Sequence, residues 1–138
     1  MRAFLLLCLA TAGLSGLTSE AWADDCNRND ETQMGLNICA GADYKAADGK
    51  LNAAYGEIMK RLAGDAESRK LLQTAQRAWI GFRDAECNFA TNDSKDGSIY
   101  PMLQANCLQA QTEDRLKQLS TYLNCEEGDM SCPVPAAQ

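Results

Sequence analysis

Apolar side chains recur every third or fourth residue along three stretches of the chain, the spacing that lines one face of an α-helix. The first stretch runs from about Thr32 to Ala63, with Leu51, Tyr55, Ile58 and Leu62 in step. Gly35, Gly41 and Gly49 weaken its early half, so the pattern predicts either two helices or one kinked helix. The second begins after Gly64-Asp65, where the Asp65 carboxylate can cap free backbone amides, and continues to about Ala90. Its stripe is Leu72, Ala75, Trp79, Phe82 and Phe89. The third runs from about Ile99 to Asn124 with Leu108, Leu116, Leu119 and Leu123 inward. Pro101 fits there because first-turn amides have no acceptor within the helix. No segment alternates with period two for long enough to make a strand. The expected fold is all-α: a short antiparallel bundle of three long helices, joined by a tight turn at Gly64 and a polar loop over Thr91 to Ser98. Trp79, Phe82, Phe89 and Tyr55 are expected to supply most of its large buried surface.

Ahead of the bundle lies a different kind of segment. Arg2 precedes an uncharged apolar run from Ala3 to Leu17, and Ala21-Trp22-Ala23 places small residues where a signal peptidase reads them. Residues 1–23 therefore read as a signal peptide cleaved before Asp24. A transmembrane anchor needs about 20 apolar residues, and this run is broken by Gly13, Ser15 and Gly16 and stopped by Glu20. Cys8 lacks the small preceding residue that a lipid-attachment motif requires. The mature chain is expected to be periplasmic or secreted, with no membrane insertion after cleavage.

Export changes the meaning of the cysteines. Of seven in the chain, six follow the signal: Cys26, Cys39, Cys87, Cys107, Cys125 and Cys132. An even number in an exported chain reads as disulfides, and six cysteines allow 15 pairings. Sequential closure suits consecutive helices and favours Cys26–Cys39, Cys87–Cys107 and Cys125–Cys132. The last pair would close an acidic loop, with residues 125–138 otherwise a disordered tail beyond the domain at residues 24–124.

Composition narrows the chemistry. With no histidine in 138 residues there is no imidazole base and no His-ligated zinc, and no Cys-x-x-Cys spacing offers a thiolate site. The loop Asn92-Asp93-Ser94-Lys95-Asp96-Gly97 begins like a calcium loop, yet its twelfth position is Leu103 in place of a closing glutamate. It reads as a turn. Asp84/Glu86 and Glu113/Asp114 are too close along a helix to face one another across a cleft. No catalytic residue, cofactor or metal is expected. The formal charge of −6 argues against nucleic acid and for a basic partner.

Polar residues interrupt the apolar stripes. Gln76, Trp79 and Arg83 share one face of the second helix, and Arg115 faces inward from the third. Such groups must be hydrogen-bonded or paired when buried. The expected arrangement is an interhelical network in which Glu86, Glu57 or backbone carbonyls receive the two arginines. The rival reading makes Trp79 and Arg83 a recognition patch.

These residues form a familiar set. Cys39-Ala40, Tyr44, Asp48 and Leu51-Asn52-x-x-Tyr55 precede Gln76-x-x-Trp79-x-x-Phe82-Arg83-Asp84-x-x-Cys87, followed by Gly97-Ser98, Cys107 and Thr112-x-x-Arg115-x-x-x-Leu119. The chain resembles the LprI-type lysozyme inhibitor family over about residues 26 to 123. The resemblance implies a helical, disulfide-stabilised, exported domain and inhibition of lysozyme, with Leu51, Asn52, Tyr55, Gln76, Trp79, Phe82, Arg83, Asp84 and Arg115 in structural roles. It carries over no inhibitory residues. The expected function is an exported, non-catalytic protein that binds or occludes a basic cell-wall hydrolase such as a lysozyme. The alternative is a structural or interaction module of the cell envelope. Partner-binding candidates are Glu126, Glu127 and Asp129 as a grip on a basic rim, with Ser94 or Lys95 as a plug toward catalytic carboxylates.

Overall fold

The computed structural model describes residues 26–126 and 128–136; the signal segment at 1–23 and Glu127 lie outside them. Among the described residues three helices run up, down and up: α1 (Gln33–Arg61), α2 (Ala66–Ala90) and α3 (Tyr100–Leu123), with a 3-10 turn over Asn92–Ser94 between the last two. The described residues contain no strand and no helix long and apolar enough to cross a membrane.

Local chemistry explains where each helix starts. Thr32 caps α1 by accepting from the Gly35 amide at 3.1 Å. Asp65 caps α2, accepting from the Ser68 amide at 2.9 Å and from its hydroxyl at 2.7 Å. Pro101 sits in the first turn of α3, where the missing amide costs nothing. Helix α1 is continuous, without the break that its glycines suggested. Only Gly35 among them meets a neighbour closely: a Cβ there would stand 2.6 Å from the Asp30 carbonyl oxygen. The Cys26–Cys39 bridge (Cα–Cα 4.6 Å) holds the entering segment against that turn of α1.

The cysteines pair as sequential closure predicts, with Cys87–Cys107 joining α2 to α3 and Cys125–Cys132 closing the loop after α3. Most of the helix contact is between α1 and α3, and α2 meets α3 over a smaller area. The N-terminal halves of α1 and α3 approach through the small buried residues Cys39, Ala40, Ala47 and Ala105. Toward their C-terminal ends, Leu51 and Ile58 of α1 and Leu62 just after it close around Leu119 of α3, flanked by Tyr55, Leu72 and Trp79.

Two further expectations fail. Phe82 and Phe89, placed inward on the sequence stripe, are 56% and 80% exposed. Only Gln76, Arg83 and Cys87 of α2 are buried, because the α1–α3 contact fills the core and α2 lies across its edge on a narrow face. The chain beyond Cys132 also departs from a disordered tail, since Val134 is 3% exposed and belongs to the core cluster. The Cys125–Cys132 bridge turns the chain back from the end of α3, and Val134 then covers Ile58, Leu62 and Leu119.

Candidate functional site

Two places on the bundle hold concentrations of polar chemistry. The first is a layer between all three helices. Tyr44, Asp48 and Asn52 stand one turn apart on α1, Trp79 and Arg83 one turn apart on α2, and Arg115 comes from α3. The Arg83 guanidinium is bonded to Asp84 (Nε–Oδ1 2.9 Å, Nη2–Oδ1 2.8 Å) and approaches Asp48 at 3.6 Å. The Asn52 side-chain amide donates to the other Asp48 oxygen at 2.8 Å and orients it. The same guanidinium lies 5.1 Å from the Trp79 ring centre and 5.6 Å from that of Tyr44, close enough for cation–π attraction to both. Arg115 stacks on Trp79 at 6.0 Å, donates to Gln76 at 3.0 Å and bonds the Gln118 side chain.

Burial lowers the affinity of Arg115 for its proton, and the Tyr122 phenol opposes the shift. Burial raises the Tyr44 pKa; Arg83 opposes this, while Asp48 and Asp84 add to it. The layer is an interhelical polar network, but neither Glu86, Glu57 nor a backbone carbonyl receives the two arginines as the sequence suggested. Arg83 takes Asp48 and Asp84, and Arg115 takes two glutamines, whereas Glu57 pairs with Arg61 at 3.0 Å. The i,i+4 spacing on α1 brings Glu57 to Arg61, one turn further along, and leaves Asp48 level with Arg83. With Arg83 and Arg115 both buried and Trp79 half-buried between them, the layer offers a partner little reach.

Replacing Arg83 with methionine keeps the apolar stem and removes the charge. Because Asp48 and Asp84 are partly exposed and can be solvated, the expected loss is about 1–2 kcal/mol in thermal or denaturant unfolding. Lysine cannot form the forked contact while stacking on two rings, so Arg83→Lys should lose a comparable amount. Native stability in Arg83→Lys would show that charge alone is required.

The second place is a cleft of about 690 Å³ where α1 ends and α2 begins, lined by Arg61, Asp65, Glu126, Asp129 and the returning segment Cys132–Ala136. Arg61 is already engaged, donating to Glu57 and, at 2.9 Å, to the Leu123 carbonyl. It thereby places a cation at the C-terminus of α3, whose own last turn has no basic residue. Asp129 accepts from the Ser131 hydroxyl at 2.7 Å and amide at 2.9 Å, and these bonds lower its pKa. The bonds from Ser68 do the same for Asp65. Both carboxylates are exposed.

The structure brings Glu126 and Asp129 together on this cleft and leaves Ser94 and Lys95 elsewhere. Ser94 and Lys95 lie at the α2–α3 junction, a region stitched by turn bonds from the Ser94, Lys95 and Gly97 amides. Helix α3 separates them from the acidic loop by about 36 Å, so grip and plug cannot share one small target surface. Sequence reasoning missed Asp65 and Val134 as parts of the cleft. The signals available were Asp65 beside the turn glycine and a lone apolar residue between Pro133 and Pro135.

These features define a small, disulfide-stapled three-helix domain with a buried arginine–tryptophan layer and an acidic end. The family model described as Lysozyme inhibitor LprI matches residues 23–119, and the chain belongs to that family. It is 39% identical to the uncharacterized protein R02472 of Rhizobium meliloti (strain 1021), over 89% of this chain and 93% of that one. It is 32% identical to the uncharacterized protein YecT of Escherichia coli (strain K12), over 75% of this chain and 74% of that one. No solved structure matches the chain.

Proposed function

We propose that this chain is an exported, non-catalytic inhibitor of a basic cell-wall hydrolase of the lysozyme class, and that the acidic cleft is its grip. The family match over residues 23–119 carries the reading. The net charge of −6 supports it, because an acidic protein is steered toward a strongly basic enzyme. The cleft supports it as well. Asp65, Glu126 and Asp129 line a concave surface whose one lining cation among the described residues, Arg61, is already bonded to Glu57 and the Leu123 carbonyl, so a lysine or arginine from the partner's rim meets an excess of carboxylates. The bridge across Cys125–Cys132 pre-forms the loop and lowers the entropy lost on binding. Glu126 and Asp129 lie beyond the matched residues, so this grip would supplement whatever contact the shared domain makes. Residues 1–23 serve export in this reading, and Glu127 adds one more carboxylate to the sequence between Cys125 and Cys132.

Titrating a basic lysozyme with purified, oxidised protein tests the idea. Inhibition is expected at micromolar protein in low salt, weakening about tenfold or more near 0.5 M salt as the charges are screened. Neutralising Glu126→Gln with Asp129→Asn should weaken it further. The lowered pKa of Asp129 fixes the sign of its share of the pH effect: the Asp129 contribution is present above the ordinary value of 3.8, and it fades only as pH falls through the lower folded value. Absence of inhibition at micromolar protein and low salt would refute the proposal.

A further inference from the structure

Helix α2 carries a second stripe, separate from the face it turns to the core. Leu71, Ala75, Ala78, Phe82, Ala85 and Phe89 follow one another at intervals of four and three residues, the spacing of a coiled-coil seam. At 3.6 residues per turn they fall within about 80° of the helix circumference. All six are exposed, with Leu71 at 64% and Phe89 at 80%. The columns beside the seam hold Leu72, Trp79, Thr74, Gly81 and Asn88, and Glu86 is their one charge. A continuous uncharged strip of this length on an acidic protein is unusual for a surface that faces only water.

We propose that this strip is an interface with a second copy of the same chain, two α2 helices crossing antiparallel about a two-fold axis level with Ile80. The order of large and small residues is self-complementary in that arrangement. The axis sets Ala78 opposite Phe82 of the second copy, Ala75 opposite Ala85, and Leu71 opposite Phe89. A groove of about 240 Å³ supplies the receiving surface, because Leu71, Leu72 and Ala75 line its rim and Ile58, Tyr122 and Val134 its floor. Each Phe89 therefore meets the other copy's apolar groove, and symmetry makes the contact twice. A parallel pairing would leave both grooves empty and set Phe89 against itself.

Area sets the strength. At 150–250 Å² for each aromatic side chain, Phe82, Phe89 and Leu71 from both copies bury on the order of 800 Å². That lies below the range of tight complexes, so the dimer is weak and depends on concentration. Two molecules of charge −6 repel, and the seam itself is apolar, so added salt tightens the dimer. A basic partner on the same strip would respond in the opposite sense.

Sedimentation equilibrium of the oxidised protein from about 1 to 300 µM, in low and high salt, reads this directly. A monomer–dimer equilibrium with a micromolar dissociation constant, tighter in high salt, is expected. Phe89→Asp should weaken it at least tenfold while circular dichroism stays native, since Phe89 makes little contact within the monomer. A short-armed bis-maleimide distinguishes the directions, because the six cysteines of the described residues are bridged and unreactive. Ala78→Cys should link between copies, and Ala85→Cys, with its two sites about 15 Å apart along the axis, should not. A monomer at every concentration would overturn the interface, and linking at Ala85, with or without linking at Ala78, would overturn its antiparallel sense.

Discussion

Removing the Cys87–Cys107 bridge with a pair of alanines should lower stability by about 3 kcal/mol and the melting temperature by roughly 15 °C. The bridge closes a separation of 20 residues, which restricts the unfolded chain by about 1 kcal/mol more than the seven spanned by Cys125–Cys132. Its place in the fold adds to the effect. Cys87 is fully buried, and α2 is otherwise held by Trp79, Leu72 and the polar layer. Loss of the staple should therefore appear first in α2. Amide hydrogen exchange would rise along Ala66–Ala90 before it rises in α1 and α3, which keep their mutual contact. Uniform loosening of all three helices would show that α2 belongs to the same cooperative unit as the core.

Truncating Leu119 to alanine should cost about 3–4 kcal/mol, read as a shift in the denaturant midpoint. Leu119 has no exposed surface and sits where Leu51, Ile58 and Val134 meet, so neighbours on two segments would have to move to fill the space. The comparison with Phe82→Ala and Phe89→Ala is the sharper part of the prediction. Those larger side chains lie on the α2 seam, and their removal from the monomer should change stability by no more than about 0.5 kcal/mol. Equal losses from Leu119 and Phe82 would place the core where the sequence stripe alone puts it, and would contradict the structure.

The polar layer shows what a sequence can and cannot say about a buried charge. Gln76, Arg83 and Arg115 on apolar faces announce an internal network, because no alternative satisfies such groups inside a bundle. Their partners depend on how far one helix slides along another. Asp48 and Glu57 are both plausible acceptors on α1, and the observed register sets Asp48 near Arg83 and leaves Glu57 to Arg61. The candidate cleft was legible in the same partial way. Glu126 and Asp129 stood out as an acidic loop, whereas Asp65 joined them only because the turn after α1 lies beside the end of α3.

What the sequence determined by itself is local: three helices, the cap at Asp65, the tolerated Pro101, and disulfides between cysteines that follow one another in the chain. Each rests on contacts among residues a few positions apart, or on the short closures that helical hairpins impose. The tertiary structure decided which apolar face of α2 is covered, that α1 runs unbroken on a seam of small residues, and that Val134 returns to complete the core. Periodicity reports that a face is apolar without reporting what lies against it. Here α1 and α3 satisfy one another first, leaving the two phenylalanines of α2 in solvent and a gap that a proline-flanked valine fills.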